Sequence, residues 1–147
     1  MVINEAFKTA TLELIESLGL TAEFNGEAVE PVLVSADEVN VTIGLTKGEK
    51  GIVLLGMKRD TALKIASVMI GSETTELDEL AEGAVSEFLN TLVGMGLSNF
   101  QKDQVIGFSS PTMITGNDTY LMISRVESSR LQFSVDRQIF SVSISLE

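Results

Sequence analysis

The 147-residue chain has no histidine, no cysteine and no tryptophan, and only two prolines. Without histidine or cysteine, no Ser-His-Asp or Cys-His nucleophile can be assembled, and no imidazole or thiolate zinc site. The lack of cysteine, together with an N-terminus that shows no basic-then-apolar leader, points to the cytoplasm. No apolar run approaches twenty residues, so no membrane span is expected. Positive charge is scarce: 10 lysines and arginines face 21 acids, a net charge of −11. A phosphate backbone would be repelled, which removes nucleic acid as a partner. Neither a Walker A loop nor a GxGxxG pattern occurs, and Gly94-Met95-Gly96 lacks the rest of any phosphate loop. No Asp/Glu cluster stands out as a magnesium site, so no metal or cofactor is expected on this chain. Chemistry here must come from amide, hydroxyl and carboxylate groups.

What is present is ordinary globular composition, 44% hydrophobic and 21% charged, at a length that suits one domain over 1–147. Phe7, Thr11, Leu14, Ile15 and Leu18 share a face of a helix from about Asn4 to Leu18, closed by Gly19. Strands are expected at Ala28–Val34, Val39–Leu45 and Gly51–Met57, the last two joined as a hairpin through Thr46–Lys50. Asp60 is read as the N-cap of a short helix ending at Ile70 with Gly71 as its stop. A long helix follows from about Leu77 to Phe100. Further strands are expected at Val105–Ser109, Thr112–Thr115, Tyr120–Val126, Leu131–Val135 and Ile139–Leu146. The class is α+β with a largely antiparallel sheet. The order helix-then-strands occurs twice around a short spacer helix, so the two halves read as pseudo-symmetric.

The long helix carries the most information. At 100° per residue with Glu87 at zero, Leu77, Ala81, Ala84, Val85, Phe88, Leu92 and Met95 fall between about 60° and 160°, the expected core face. Gly83, Glu87, Asn90 and Gly94 fall between about 300° and 360°. A glycine inside a helix costs about 1 kcal/mol relative to alanine, so Gly83, Gly94 and Gly96 together give up roughly 2–3 kcal/mol. An ordinary solvated face would carry alanine, lysine or glutamate instead. Glycines around an acid and an amide let another backbone approach, so the stripe reads as a docking surface. Glu87 and Asn90, spaced i, i+3, leave the same face, and Ser86 sits at its rim.

Ser86-Glu87-x-x-Asn90-x-x-x-Gly94, with Asp78 before it and Pro111 and Thr115-Gly116 after it, resembles the CheC/CheX/FliY family of chemotaxis phosphatases, nearest its CheX branch. The likeness extends to the N-terminal helix, to Ile43-Gly44-Leu45 and Gly51-Ile52-Val53, and to the run from Ala62 to Gly71. The resemblance implies a fold with two long pseudo-symmetric helices and a short spacer helix. It implies dephosphorylation of the phospho-aspartyl form of a CheY-like response regulator, with Mg2+ held by the regulator. Under it Glu87 and Asn90 are catalytic: Glu87 pairs with the regulator's active-site lysine and Asn90 orients the attacking water. Gly83, Ser86 and Gly94 form the docking floor. The first helix offers Glu13-Leu14-Ile15-Glu16 without a matching asparagine, so one site per chain is implied. The resemblance also implies a homodimer joined through sheet edges. Tyr120–Ser124 and Ile139–Ile144, poor in lysine and proline, are the expected edges.

Two other readings compete. One is a non-catalytic regulator-binding or flagellar-switch module on the same fold, which would have no need of Asn90. The other is a structural subunit whose glycine stripe is a helix-packing seam, with Glu87 and Asn90 buried in it.

Overall fold

The computed structural model describes residues 2–31, 33–100, 103–117, 120–122 and 127–147. Its helices are α1 (Ile3–Ser17), α2 (Arg59–Ile70) and α3 (Glu79–Phe100). The strands are β1 (Ala22–Glu30), β2 (Leu33–Ser35), β3 (Val39–Lys47), β4 (Gly51–Met57), β5 (Gly107–Phe108), β6 (Thr112–Thr115), β7 (Tyr120–Met122), β8 (Ser128–Val135) and β9 (Gln138–Leu146). Seven strands form one antiparallel sheet in the order β1-β8-β9-β4-β3, with β5 and β6 both on the outer side of β3. β2 and β7 pair separately.

That order is symmetric about its centre. The hairpins β3–β4 and β8–β9 meet at the β4–β9 pair, and each is flanked by a strand from the other half. β1 lies against β8 and β6 against β3, while β2 and β7 pair with each other. The pseudo-symmetry expected from element order is thus carried by the topology, with α2 and the short β5 as the elements that have no counterpart.

The helices cover one face of the sheet. Alternation along β9 sends Phe140, Val142 and Ile144 to that side, where Phe140 stacks on Phe133 at 5.3 Å and meets Phe88 of α3 edge-on at 6.3 Å. These rings, with Phe7, Ile15, Ile43, Leu55, Ile65 and Leu92, form a continuous core drawn from all three helices and the sheet.

Several boundaries differ from expectation. β1 begins at Ala22 and ends at Glu30; half-buried Ala22, Phe24 and Gly26 alternate with exposed Glu23, Asn25 and Glu27, and its edge position leaves none of them fully buried. Ile123–Val126, expected to continue β7, lie outside the described residues. Asp60 does not cap α2: Lys58 holds the cap position with no side-chain cap bond, and Asp60 sits in the first turn. Ile139–Ile144, expected as an edge, belong to β9, which is covered on both sides by β8 and β4. The outer strands are instead β1 at one side and β5 and β6 at the other.

Candidate functional site

The site is built on α3, which starts under a side-chain cap. The Ala81 N–H donates to Asp78 Oδ1 at 2.9 Å and the Glu82 N–H to the Asp78 carbonyl at 2.8 Å. The first bond satisfies one of the orphan donors of the first turn, and the second is the first regular bond of the helix. Gly71 in left-handed conformation ends α2, and the Thr74 N–H donates to Ser67 Oγ at 2.9 Å, which directs the connector toward that cap.

The buried residues of α3 are Ala81, Val85, Phe88, Leu89, Leu92, Val93, Gly96 and Leu97. On the same angular scale they span about 100° to 280°. The expected core arc is therefore corrected: it is wider and turned toward the Asn90 side of the stripe, ending about 20° short of it. The cause is the position of α3 as the middle helix, with α1 and α2 both packed against it and β3 beneath. Ala84 and Met95, expected in the core, are half-buried at its margin, and Leu77 precedes the helix. Leu89, Val93 and Leu97, outside the expected arc, complete the core.

What remains free is a narrow arc centred near Glu87. Glu87 and Gly83 are exposed; Asn90, Gly94 and Ser86 are half-buried, Ser86 lying between the buried Val93 and Leu97 in angle. A methyl group added at Gly83 or Gly94 would meet nothing within 4 Å. Gly96 is different. Its added methyl would lie 2.8 Å from the ring of the fully buried Phe7, so this glycine exists to let α1 and α3 approach. The glycines thus divide into one packing glycine and two bare ones. Within the chain, the bare ones are no helix-packing seam.

Glu87 Oε1 accepts a 3.3 Å hydrogen bond from Thr91 Oγ1 one turn on, which draws the carboxylate along the helix axis. Among the described residues, the Asn90 amide has no hydrogen-bond partner. An asparagine left in this state has one acceptor and two donors for an incoming molecule. Between Asp78 and Phe100 there are four acids, Asp78, Glu79, Glu82 and Glu87, and no lysine or arginine. The charge of the helix and its cap is therefore wholly negative, and Glu87 carries it onto the free arc.

Two hollows lie at the ends of the stripe. One of about 540 Å³ is lined by Glu79, Leu80, Gly83 and Ala84. The other, about 630 Å³, lies beside Gly94, with Val105, Ile106 and Phe108 across from it. Leu80 is 66% exposed and Val105 81% exposed. Neither was singled out from the sequence, although Leu80 falls about 20° from Glu87 and so breaks the polar pattern of that arc. Among the described residues no group of three or more acids stands as a metal site, and no helix is long and apolar enough to cross a membrane.

An unpaired amide and an exposed carboxylate thus share the solvent-facing arc of the middle helix, over an α+β core. The family model described as chemotaxis phosphatase CheX matches residues 39–135, and the chain belongs to that family. The CheY-P phosphatase CheX of Thermotoga maritima is 36% identical over 80 residues, 52% of this chain and 50% of that protein. The match thus spans about half the length of that relative. Among solved structures, a chemotaxis protein CheX from Desulfovibrio desulfuricans superposes with a TM-score of 0.84 at 20% identity, covering 99% of both chains. A CheX-CheY-BeF3-Mg+2 complex from Borrelia burgdorferi gives a TM-score of 0.75 at 24% identity, over 99% of this chain and 98% of that one. Thermotoga maritima FliY gives 0.70 at 22% identity, over 95% of this chain and 84% of that one.

Proposed function

We propose that this chain accelerates hydrolysis of the phospho-aspartate of a CheY-like response regulator in chemotaxis signalling, and that it works in the cytoplasm as one unit over 1–147. The observation that carries the reading is the Asn90 amide, unpaired among the described residues and one helical turn from the exposed Glu87, with a bare glycine on either side. The names of the relatives support it: one is a CheY-P phosphatase, and another was solved with CheY, BeF3 and magnesium.

Hydrolysis of an acyl phosphate requires an in-line water and neutralisation of the phosphoryl charge, with little covalent work from the protein. Water adds to phosphorus, the P–O bond to the aspartate breaks, and the aspartate leaves as carboxylate with inorganic phosphate as the other product. Magnesium and the lysine belong to the regulator. Asn90 supplies a carbonyl that accepts from the water and fixes its line of attack. Being neutral, it does not repel the phosphoryl oxygens as an aspartate would. Glu87, one turn away, takes the regulator's lysine and sets the orientation. Gly83, Ser86 and Gly94 form the floor on which the regulator's loops rest.

The test is phosphate release from a panel of phosphorylated single-domain regulators. Release above the regulators' own rate with at least one of them is the expected result; none with any of them rejects the reading.

The same reading includes a homodimer. Its support is now the β2–β7 pair, since β9 is interior. A two-stranded sheet is marginal alone, and Tyr120 and Met122 on β7 are 65% and 70% exposed. Pairing with the same arm of a second copy would extend the ribbon and cover these side chains while leaving α3 outward. Light scattering should give twice the chain mass at micromolar concentration; a monomer mass rejects the dimer.

A further inference from the structure

We infer that Leu80, with the hollow it forms beside Gly83 and Ala84, is a specificity-setting contact that takes an apolar side chain from the regulator's surface. This rests on the reading of Glu87 and Asn90 above and extends it to partner choice. Leu80 lies about 20° from Glu87 around the helix and about 10 Å from it along the axis. It is 66% exposed, and no part of the core needs it there. Gly83 presents bare backbone beside it and Ala84 a single methyl, so the hollow of about 540 Å³ has an apolar wall and an open floor.

The surrounding charge selects the occupant. Glu79 lines the hollow, Glu87 stands about 20° from Leu80 around the same face, and α3 has no lysine or arginine. A second copy of this chain would bring the same acids, on a protein of net charge −11, and is repelled from this face. A partner with an apolar side chain inside a basic rim fits, and the lysine that Glu87 engages is part of such a rim. Apolar anchors in pockets carry most of the energy at interfaces of this kind, while rim charges govern encounter. Leu80 therefore ranks regulators by how well they fill the hollow, and Asn90 acts on whichever one is seated.

The experiment compares the parent chain, Leu80→Ala and Leu80→Met in phosphate release across the regulator panel. Beside it runs a direct titration of beryllofluoride-loaded, magnesium-bound regulator. Alanine and methionine both keep the helix, and unchanged melting verifies this. For Leu80→Ala the half-saturating regulator concentration rises about tenfold, with turnover at saturation within twofold of the parent; Leu80→Met recovers most of the loss. Unchanged half-saturation and unchanged affinity overturn the inference while leaving the phosphatase reading intact. A parent that binds the loaded regulator through Leu80 but releases no phosphate overturns the phosphatase reading alone. A parent that neither binds nor hydrolyses overturns both.

Discussion

The three glycines of α3 allow one substitution to be tested three times in a single helix with opposite expected signs. At Gly83 and Gly94 an added methyl meets nothing within 4 Å, so alanine changes only helix propensity. Each replacement should stabilise the fold by about 1 kcal/mol, which raises Tm by roughly 2–4 °C for a chain of this size. At Gly96 the same methyl would sit 2.8 Å from two carbons of the Phe7 ring and 2.9 Å from a third. Phe7 is fully buried, so its ring cannot swing aside without displacing the α1–α3 contact. Overpacking of this kind costs about 1–3 kcal/mol. Set against the propensity gain of about 1 kcal/mol, Gly96→Ala should come out about 0–2 kcal/mol less stable than the parent. Urea titration at constant pH reads all three, with the slope checked for constancy so that the midpoint shift reports stability. If Gly96→Ala stabilises as much as Gly83→Ala, the α1–α3 packing described above is wrong. The surface glycines also separate stability from function: Gly94→Ala should be more stable yet need more regulator for half-saturation, because its methyl occupies the docking floor.

Three further outcomes are expected. Asn90→Ala should keep the parent's melting behaviour and lose about a hundredfold in turnover at saturating regulator, about 2.7 kcal/mol of barrier; equal phosphate release would remove Asn90 from the mechanism. Glu87→Ala should weaken binding more at low salt than at high, since its partner is a single exposed charge; a salt-independent loss would argue against a lysine contact. Burial raises the pKa of Asp37 above its ordinary 3.8, against the opposing pull of Arg130. The folded state therefore holds this proton more tightly than the unfolded chain. The stability it contributes is full below the unfolded value and is lost as pH rises through the folded one. Asp37→Asn should accordingly gain stability relative to the parent as pH rises from below 3.8 toward neutrality, read by melting at a series of pH values; a flat difference would refute the burial argument.

The elements read correctly from the sequence were those whose pattern is local. Val39–Leu45 and Gly51–Met57 alternate with the pleat, and Gly48, at a φ of 83°, makes the turn between them. α2 ends at Ile70 because Gly71 takes the left-handed conformation. The misses follow from long-range neighbours. Ile139–Ile144 look like any β-rich run, and only their pairing with both β8 and β4 makes them interior. β1 does alternate, with Glu23, Asn25 and Glu27 outward between Ala22, Phe24 and Gly26, but Phe24 is the one large apolar side chain among those inward positions and the pattern is weak. In the site, Glu87 and Asn90 stood out because glycines beside them cost helix stability for no local reason. Gly96 has the same cost and the opposite role, and its partner Phe7 lies far away in sequence, on α1. Leu89, Val93 and Leu97 fell outside the expected core arc because a middle helix is covered on more sides than a lone amphipathic one.

The exchange of outer strands between the two halves bears on how the chain folds. β1 and β8 pair although they are roughly a hundred positions apart, and β3 cannot acquire β6 until α3 has been laid down between them. Neither half owns a finished sheet, so each lacks a flanking strand until the other arrives. Contacts this distant delay folding, because the loop entropy is lost before the pairing compensates it. They also make the halves interdependent in unfolding. A chain cut in the polar connector at 72–76 would yield two fragments, each with β edges that only the complementary fragment can cover, and the pair should reassemble into one sheet while each alone associates through those edges.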